Sequence, residues 1–516
     1  MKKTIAFAGL LLFSVIGSSS LMAQNGKSYA VISPSDTKAE IIEKAARVVP
    51  SPQQYAWQKM EFNAFIHFGM NTFTNVEWAK EKASPKLFDP TNLDCDQWAK
   101  VLKEAGVRMA ILTAKHEDGF CLWPSKYTKY SVKYSPWKNG KGDVVREFVD
   151  ACHKYGLKVG LYLSPWDQAA PSYGTPAYNT YFENQLTELL TNYGPITEIW
   201  FDGGIAPNYP KKQIYDWHAY YKLVRKLQPN ALIAIMAPDI RWVGTESGYG
   251  RESEWDVLPI DLTSLDSVRN EDPLHPIDAI FKPHNYMGPD LGGNDKLAEA
   301  KGLFWYPAET DVTIRPGWFY HTSDDTAVKS VGELADIYFS SVGRNSVLLL
   351  NVPPDKQGLF TKYDIDALEG LHRVISETFG VNFADDAKVE INGRGDQNAS
   401  ILFGKGKYWT GKEGVDTTSM VFTLPKKETF DVAMLQEEIL VGQRIGKFRI
   451  DYWDGNDWQK LTDGTTVGYK RLLRFDPVTS DRVRLVIEES RLNPTLSDFG
   501  LFELPPEYLD LKSESK

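Results

Sequence analysis

Short apolar runs that end in polar or glycine-rich groups recur along the chain up to about residue 380. Each run is apolar at both odd and even positions, which is typical of a strand buried on both faces of a sheet. Helical patterns separate the runs. The runs cover residues 62–69, 109–119, 159–167, 196–204, 232–236 and 346–351, and the helical patterns cover residues 96–104, 143–155, 178–193 and 214–227. This alternation predicts a parallel sheet with right-handed crossovers.

Length and the positions of polar groups distinguish a closed barrel from a doubly wound open sheet. A region of about 310 residues with polar groups at several strand ends is more typical of a (β/α)8 barrel. The chain also has no glycine-rich phosphate loop of the GxGxxG or GxxxxGK(S/T) kind, which weakens the nucleotide-binding alternative. We therefore expect a (β/α)8-like barrel over residues 51–380, preceded by an N-terminal lead-in over residues 24–50.

The pattern changes after residue 380. From about Ala387 onward, short strand patterns such as 419–424, 446–453 and 482–487 are separated by turn signals, and no helix-length pattern intervenes. This is typical of a β-sandwich, which we place over residues 381–516. It either braces the barrel or binds sugar.

The run at 196–204 ends in Asp202 followed by two glycines, which allow a ligand to approach the backbone closely. In parallel-strand folds, chemistry collects at the carboxyl ends of strands, so Asp202 is the first candidate for a catalytic residue. The alternative is an ordinary strand-ending aspartate that starts a turn. His67 and His116 also end apolar runs and would converge on the same barrel mouth, although a lone histidine in such a run is commonly a core residue.

Composition narrows the classes of partner. With 516 residues, the chain is too long for one compact domain, and its 42% hydrophobic content supplies a large core. A net charge of -10 argues against nucleic acid or an anionic membrane surface as the natural partner. The 15 tryptophans and 25 tyrosines suit a cleft for sugars, which present apolar C–H faces, although such residues are also ordinary core material.

The N-terminus has the pattern of an export signal over residues 1–23. A basic start at Lys2 and Lys3 precedes an apolar stretch at 4–16 that is too short to span a bilayer, with a cleavage site near Gln24. No later segment is a transmembrane candidate, so we expect a periplasmic or secreted protein. The three cysteines allow at most one disulfide, which excludes a disulfide scaffold.

Six motifs in the first region together resemble the α-L-fucosidases of glycoside hydrolase family 29. They are HFG at 67–69, EW at 77–78, KHEDGF at 115–120, WFDG at 200–203, RPGWFYH at 315–321 and LLNVPP at 349–354. Each motif is weak alone, and the ordered set from about residue 57 to residue 368 is specific. The segment at 315–321 and the region of Glu246 resemble the subfamily that prefers α-1,3/1,4-linked fucose on Lewis-type glycans. The β-sandwich is similar to discoidin-like, galactose-binding-like modules.

The resemblance implies a double-displacement mechanism with two carboxyl groups. Asp202 matches the nucleophile, and Glu246 best matches the acid/base. Glu252 and Glu254 compete with Glu246 for that role, or else pair with Arg241 or Arg251. Sugar-binding roles are implied for His67, Glu77, Trp78, His116, Tyr162 and Trp318. An exposed loop acid and a core indole are the alternative for the 77–78 pair, and plain packing is the alternative for Tyr162.

One position departs from the family pattern. Where a second histidine often follows the first, this chain has Glu117, so a contact from that position to fucose is in doubt. We expect no metal or other cofactor, because two carboxyl groups supply both nucleophile and proton donor and the sequence has no HExxH, CxxC or EF-hand spacing. A structural calcium in the β-sandwich is left open.

The expected function is an exported, exo-acting α-L-fucosidase whose substrate is a fucosylated oligosaccharide. Two alternatives remain open: a retaining barrel enzyme acting on another sugar, and a non-catalytic protein that binds fucosylated glycans on a decayed barrel.

Overall fold

The computed structural model describes residues 27–79, 82–204, 210–235, 238–260, 288–298, 300–403, 406–506 and 508, so the predicted signal peptide lies outside the described residues. Up to residue 380 the strands are β1 (Tyr29–Val31), β2 (Phe62–Ile66), β3 (Met109–Lys115), β4 (Lys158–Leu163), β5 (Glu198–Phe201), β6 (Leu232–Ile235), β7 (Ile240–Trp242), β8 (Val257–Ile260), β9 (Gly302–Trp305), β10 (Ala308–Thr313) and β11 (Ser346–Asn351). Eight of them form a closed parallel barrel in the order β10-β11-β2-β3-β4-β5-β6-β7. The predicted barrel is therefore confirmed.

Helices cover the outside of the barrel, and four of them were predicted from the sequence. The α-helices are Lys38–Ala45, Pro52–Gln58, Met70–Thr74, Cys95–Glu104, Val144–Tyr155, Ala177–Asn192, Trp217–Leu227, Asn294–Leu297, Val331–Ser341, Lys362–Thr378 and, in the C-terminal region, Ala399–Phe403. Side-chain caps start several of them; Asp94, for example, accepts from the backbone N–H of Gln97 at 3.0 Å. None of the described helices is both long and apolar enough to cross a membrane.

Two connections differ from simple strand–helix alternation. Only residues 236–239 separate β6 from β7, which leaves no room for a helix. The chain between β7 and β10 instead contains β8 and β9, which join β1 in a small antiparallel sheet. The sequence pattern missed β7 and β10 because charged residues interrupt both: Arg241 in β7, and Glu309 and Asp311 in β10.

The two-residue period of the strands separates two environments. Outward positions such as Ile66, Leu112 and Leu350 pack under the helices in the main core. Inward positions such as Phe65 and Trp200 fill the barrel with a second apolar cluster. Burying each large apolar side chain stabilises the fold by about 1.5–3 kcal/mol. The inward row of each strand ends at the barrel mouth, and that is where the candidate polar residues lie.

The C-terminal region forms the predicted antiparallel β domain. Its strands are β12 (Lys388–Ile391), β13 (Arg394–Asn398), β14 (Trp409–Thr410), β15 (Thr418–Gln436), β16 (Ile445–Trp453), β17 (Trp458–Gly464), β18 (Arg471–Ser490), β19 (Thr495–Leu496) and β20 (Asp498–Phe502). The long strands β15 and β18 pair with each other, and register shifts interrupt the pairing. A separate hydrophobic core, including Phe422, Phe448 and Leu485, holds this domain together.

The β domain contacts the barrel through the loop that follows β7. The Arg471 side chain donates to the Glu252 backbone oxygen at 2.8 Å and to its carboxylate at 2.8 Å. The backbone N–H of Glu254 donates to Thr466 Oγ1 at 2.9 Å, and Gln443 Nε2 donates to the Glu254 backbone oxygen at 3.0 Å. The β domain therefore braces this barrel loop, as one of the two predicted roles requires.

Candidate active site at the barrel mouth

Asp202 lies directly after β5, where Glu198 and Trp200 begin the same inward row. Its Oδ2 accepts a hydrogen bond from the Tyr162 hydroxyl at 2.8 Å, and its Oδ1 accepts from the backbone N–H of Gly204 at 2.7 Å. The residue is only partly buried. Two neutral donors thus fix a carboxylate that is open to a ligand and has no ion-pair partner among the described residues.

His67 and His116 converge beside Asp202, as the sequence predicted. The two rings lie 5.5 Å apart, and the His116 ring stacks on Tyr162 with 5.5 Å between centroids and 12° between planes. Asn351 Oδ1 accepts from both the backbone N–H and Nδ1 of His67, at 3.1 and 2.8 Å. This assigns the proton to His67 Nδ1 and leaves Nε2 as an acceptor.

Burial keeps both imidazoles neutral. It lowers the pKa of His116 to about 4, although the Asp202 charge acts in the opposite direction. Burial and the neighbouring His116 lower the pKa of His67 well below its ordinary value, against the hydrogen bond to Asn351. Neutral rings next to a carboxylate present both donors and acceptors, which suits the recognition of hydroxyl groups.

Glu246 lies on the loop after β7, on the same side of the barrel. Its Oε2 accepts from the Trp318 indole Nε1 at 3.3 Å. Although the residue is exposed, desolvation by its surroundings raises the pKa of this carboxyl, the Trp318 hydrogen bond lowers it, and the negative charge of Asp202 raises it again. The result is a carboxyl group that holds its proton to a higher pH than an ordinary glutamate.

The other two glutamates of this loop are paired with arginines. Glu254 is 1% exposed and forms ion pairs with Arg241 and, at 3.2 Å, with Arg251. Glu252 pairs with Arg344 and, at 2.8 Å, with Arg471. Among the three candidates, only Glu246 lies near Asp202 without a cationic partner in the described part of the chain.

Glu77 fastens the loop that carries Trp318. Its Oε2 accepts from the Trp318 backbone N–H at 2.7 Å, and its Oε1 accepts from the Phe319 N–H at 3.2 Å and from His321 Nε2 at 2.6 Å. A Cβ on Gly317 would lie 2.3 Å from Glu77 Oε1, so a larger residue would push the carboxylate out of its present position. We call this arrangement of Glu77 with residues 317–321 the Glu77 clasp. Direct binding of sugar by Glu77 stays a prediction.

Trp78 and Arg315 have contrasting environments. The Trp78 side chain is 64% exposed, so its indole is free to cover a ligand, and that role too stays a prediction. Arg315 is fully buried, bonds both oxygens of Asp364 at 2.8 and 2.9 Å, and reaches Asp325 at 3.1 Å. Within the 315–321 motif, Arg315 therefore supports the loop from inside, and Trp318 reaches the mouth.

A buried ion pair stabilises the loop after β3. Lys115 Nζ bonds Asp167 Oδ2 at 3.0 Å and Gln185 Oε1 at 2.9 Å, and both Lys115 and Asp167 are fully buried. Gly119 in this loop has φ of +83°, and a Cβ there would lie 2.3 Å from Asp167 Oδ1. The KHEDGF motif thus combines residues at the mouth, such as His116, with a rigid support.

Sequence reasoning missed two residues that the structure brings to the mouth. Asn351 orients His67 and also donates to the Trp318 backbone oxygen at 2.8 Å. Asp311 accepts from Trp242 Nε1 at 2.8 Å, and burial, Glu246 and Asp202 raise its pKa to about 8. Asn351 ends the 346–351 run, which was a usable signal. Asp311 lies in a strand that the pattern did not reveal.

The described residues contain no group of three or more histidine, cysteine, aspartate or glutamate side chains arranged to hold a metal ion. Cys95, Cys121 and Cys152 are all buried free thiols. The mouth thus offers Asp202 and Glu246, two carboxyl groups in different environments, together with the buried Asp311, two neutral imidazoles and an indole, an arrangement that can cleave a glycosidic bond.

Comparisons with known proteins agree with this chemistry. The family model described as alpha-L-fucosidase matches residues 31–254. Alpha-L-fucosidase 1 of Arabidopsis thaliana is 40% identical over 467 residues, which span 88% of this chain and 87% of that protein. The crystal structure of a putative alpha-L-fucosidase from Bacteroides ovatus matches with a TM-score of 0.81 and 47% identity, covering 93% of this chain and 78% of that one. A Ruminococcus gnavus GH29 fucosidase in complex with fucose matches with a TM-score of 0.78 and 31% identity, and the match covers 89% of this chain and 96% of that one. The chain belongs to the α-L-fucosidase family of glycoside hydrolases.

Proposed function

We propose that this α-L-fucosidase is exo-acting and retaining, and that it releases terminal fucose from α-1,3- or α-1,4-linked, Lewis-type glycans. The observation that carries the mechanistic part is the contrast among the mouth carboxyls. Asp202 is held by neutral donors, and Glu246 is the loop glutamate without an arginine partner among the described residues.

Asp202 has the properties required of the nucleophile. A nucleophilic carboxylate must be ionised, fixed in direction and open to the anomeric carbon. The bonds from Tyr162 and Gly204 fix the direction of the carboxylate, and the group stays partly exposed. The Ruminococcus gnavus relative in complex with fucose supports fucose as the sugar that this mouth accepts.

Glu246 has the properties required of the acid/base. A general acid must keep its proton near neutral pH, and both desolvation and the Asp202 charge favour the protonated form of Glu246. Glu252 and Glu254 are instead engaged in ion pairs with arginines, which gives both a structural role.

The proposed reaction has two balanced steps. First, Asp202 attacks the anomeric carbon while Glu246 donates its proton to the departing glycosidic oxygen, which leaves a fucosyl ester on Asp202. Second, the Glu246 carboxylate takes a proton from water, the hydroxide attacks the anomeric carbon, and Asp202 departs as carboxylate. Two inversions at one carbon give net retention.

The proposed linkage preference rests on the loop of the Glu77 clasp. Trp318 donates to Glu246, which is the group that protonates the leaving sugar, so this loop borders the aglycone side of the site. Because Arg315 is buried, recognition of a neighbouring galactose falls to exposed parts of the loop and its surroundings. Binding energy from that second sugar would be expressed as rate.

Proton NMR of a fresh reaction tests the mechanism. We expect α-fucose to appear first and the β-anomer to grow only by mutarotation, because retention preserves the α configuration. Initial formation of β-fucose would replace the retaining mechanism with an inverting one and leave the fucosidase activity in place.

A substrate panel tests the linkage. Lewis-type trisaccharides, an α-1,2-linked fucosyl lactose and an aryl fucoside are compared by kcat/KM. We expect the branched α-1,3/1,4 substrates to react fastest. Equal or greater efficiency on the α-1,2 substrate would remove the proposed preference.

We further propose export to the periplasm or beyond, supported by the basic and apolar pattern of residues 1–23. Mass spectrometry of the protein recovered from the periplasm or medium tests it. The expected mature N-terminus is Gln24, and an intact Met1 would contradict cleavage.

A further inference from the structure

Glu117 places a further carboxyl group beside the site. It follows His116 directly, is 4% exposed, and its Oε1 has no hydrogen-bond partner among the described residues. Glu198 and Glu309 also leave one carboxyl oxygen unpaired, but they lie at the buried floor of the barrel, away from the mouth, and some other buried acids are satisfied. Glu188, for example, accepts from the Trp123 indole at 2.9 Å and from the Lys126 N–H at 2.9 Å. A buried carboxyl oxygen without a donor is costly unless a ligand or a proton completes it.

The charged groups nearest Glu117 are both negative: Asp118 on its own loop, and Asp202 directly after β5. The Tyr162 hydroxyl on β4 is also close, and the backbone N–H of Ala79, two residues after Glu77, donates a hydrogen bond to the carboxyl. Burial, then Asp118, then Asp202 raise the pKa of Glu117 to about 8, and the Ala79 N–H acts in the other direction. At neutral pH, this carboxyl carries an O–H that can donate.

We propose that Glu117 is a substrate-binding residue whose unpaired carboxyl oxygen forms a hydrogen bond with a hydroxyl group of the bound fucose. The inference rests on the proposed function, since it takes Asp202 as the nucleophile and the space beside it as the fucose pocket. The observations that carry it are the unpartnered buried oxygen, the position next to His116, and the proximity to Asp202 and Tyr162.

A neutral acid suits this position better than a carboxylate. A carboxylate accepts only, and the charge of Asp202 would oppose it when no cation is near. No lysine, arginine or histidine forms an ion pair with Glu117 in the described ranges. The protonated acid both donates and accepts, so it can bond one sugar hydroxyl without adding negative charge next to the nucleophile.

A substrate-deletion matrix tests the contact. Aryl α-L-fucoside and its 2-, 3- and 4-deoxy analogues are assayed with the wild type, Glu117→Ala and Glu117→Gln. For Glu117→Ala we expect kcat/KM on the parent substrate to fall about 10- to 100-fold. The wild type should lose a similar factor on the one analogue that lacks the bonded hydroxyl. Glu117→Ala should lose little more on that analogue, because the same interaction is already missing.

The amide variant separates a contact from a fold defect. Glu117→Gln keeps the shape and a donor without a titratable proton, so it should lose clearly less than Glu117→Ala and show a flatter decline in kcat/KM above pH 8. The unfolding temperature of each variant is measured in parallel. If both variants lose the same factor on the parent and on every deoxy analogue, Glu117 makes no sugar contact and the inference is overturned.

Variants of Asp202 and Glu246 separate a failure of this inference from a failure of the proposed function. If these variants lose turnover of aryl fucoside, but the losses from the Glu117 variants and from the deoxy substrates simply add, only this inference fails. If an Asp202 variant keeps the turnover of the wild type, the proposed site is wrong, and the assignment of Glu117 is wrong as well.

Discussion

The floor and the mouth of the barrel use the same strand periodicity to place carboxyl groups in opposite environments. At the floor, Glu198 and Glu309 each accept one indole N–H, from Trp57 at 2.7 Å and from Trp200 at 2.8 Å. Both side chains are buried. At the mouth, Asp202 lies on the same inward row as Glu198, four residues further along β5, yet it is partly exposed.

The difference shows that exposure to solvent, and not residue type, decides the role of an inward carboxyl. Burial raises the pKa of Glu198 to about 8, and burial together with the charge of Glu198 raises that of Glu309 well above its ordinary value. These floor acids are neutral packing groups at pH 7. The mouth carboxyls receive donors and solvent on the side where a ligand arrives, so they can do chemistry.

The largest expected effect is at Asp202. Asp202→Ala should lower kcat by about 10³-fold or more, equivalent to about 4 kcal/mol of barrier, because the covalent route is lost. The unfolding temperature should change little, since Asp202 bonds only Tyr162 and Gly204 among the described residues. Added azide should restore part of the turnover by acting as an external nucleophile. Rate assays with and without azide check this.

The matched control is Glu198→Gln at the floor of the same strand. It keeps an acceptor for the Trp57 indole, so kcat should stay within a few-fold of the wild type. Near-normal activity of a folded Asp202→Ala would make Asp202 a turn residue. A severe loss from Glu198→Gln would erase the contrast between floor and mouth.

The second effect concerns Glu246. Glu246→Ala should nearly abolish hydrolysis of oligosaccharides, whose alkoxide leaving group needs a proton, with a loss of roughly 10²- to 10⁴-fold. A nitrophenyl fucoside should lose less in its first step and show a burst as the fucosyl-enzyme accumulates. Wild-type activity should decline as pH rises through the raised pKa of Glu246, because the acid loses its proton. This alkaline decline should flatten in the variant.

Glu254→Gln is the informative contrast on the same loop. It leaves the buried Arg241 short of a counter-charge, so unfolding should become easier by about 3–5 kcal/mol, as is typical when one partner of a buried ion pair is removed. If Glu254→Gln instead shows the leaving-group pattern while Glu246→Ala is normal on oligosaccharides, the acid/base is Glu254.

The third effect comes through the Glu77 clasp. Gly317→Ala would place a methyl group 2.3 Å from Glu77 Oε1 and displace the loop that holds Trp318 against Glu246. We expect kcat/KM to fall roughly 10- to 100-fold, as is typical of misplaced positioning groups. Because the Trp318 hydrogen bond lowers the pKa of Glu246, its loss should move the alkaline decline to higher pH.

Glu77→Gln disrupts the same clasp by removing the charge of its carboxylate. It weakens the contact with His321 at 2.6 Å and the two backbone N–H bonds. A matching upward shift of the alkaline limb in both variants supports a positioning role. If only Glu77→Gln weakens binding of free fucose and Gly317→Ala is silent, Glu77 acts as a direct sugar ligand alone.

Sequence reasoning predicted those parts of the molecule that obey local rules. Six of the eight barrel strands and four outer helices were found because their apolar periodicity is strong, and the antiparallel β domain was found from its turn signals. Strands β7 and β10 were missed because Arg241, Glu309 and Asp311 break the apolar pattern. Those residues are buried only because tertiary partners satisfy them, and such partners are invisible in one sequence.

The site followed the same division. Asp202, His67 and His116 were accessible to reasoning because they end apolar runs. The choice among Glu246, Glu252 and Glu254 was not, since it depends on arginines up to 219 positions away, such as Arg471 in the β domain. The clasp by Glu77 was equally hidden, because its partners lie more than 240 positions along the chain.

The smallest expected effect is on stability, and it is at the barrel floor. Because the folded-state pKa of Glu309 lies well above its ordinary value, the folded protein keeps a proton that the unfolded chain has already released. The contribution of this carboxyl to the free energy of unfolding is therefore fully present below about pH 4.5, and it is lost as pH rises toward the folded-state pKa. Glu309→Gln keeps an acceptor for the Trp200 indole but has no proton to lose. We expect it to raise the unfolding temperature at pH 8 by roughly 2–4 °C, with less gain at pH 5. Calorimetry from pH 5 to pH 9 checks this, with the exposed Glu390→Gln as control. Equal shifts at both pH values would mean that the variant acts through packing, and that Glu309 is not held neutral at the floor.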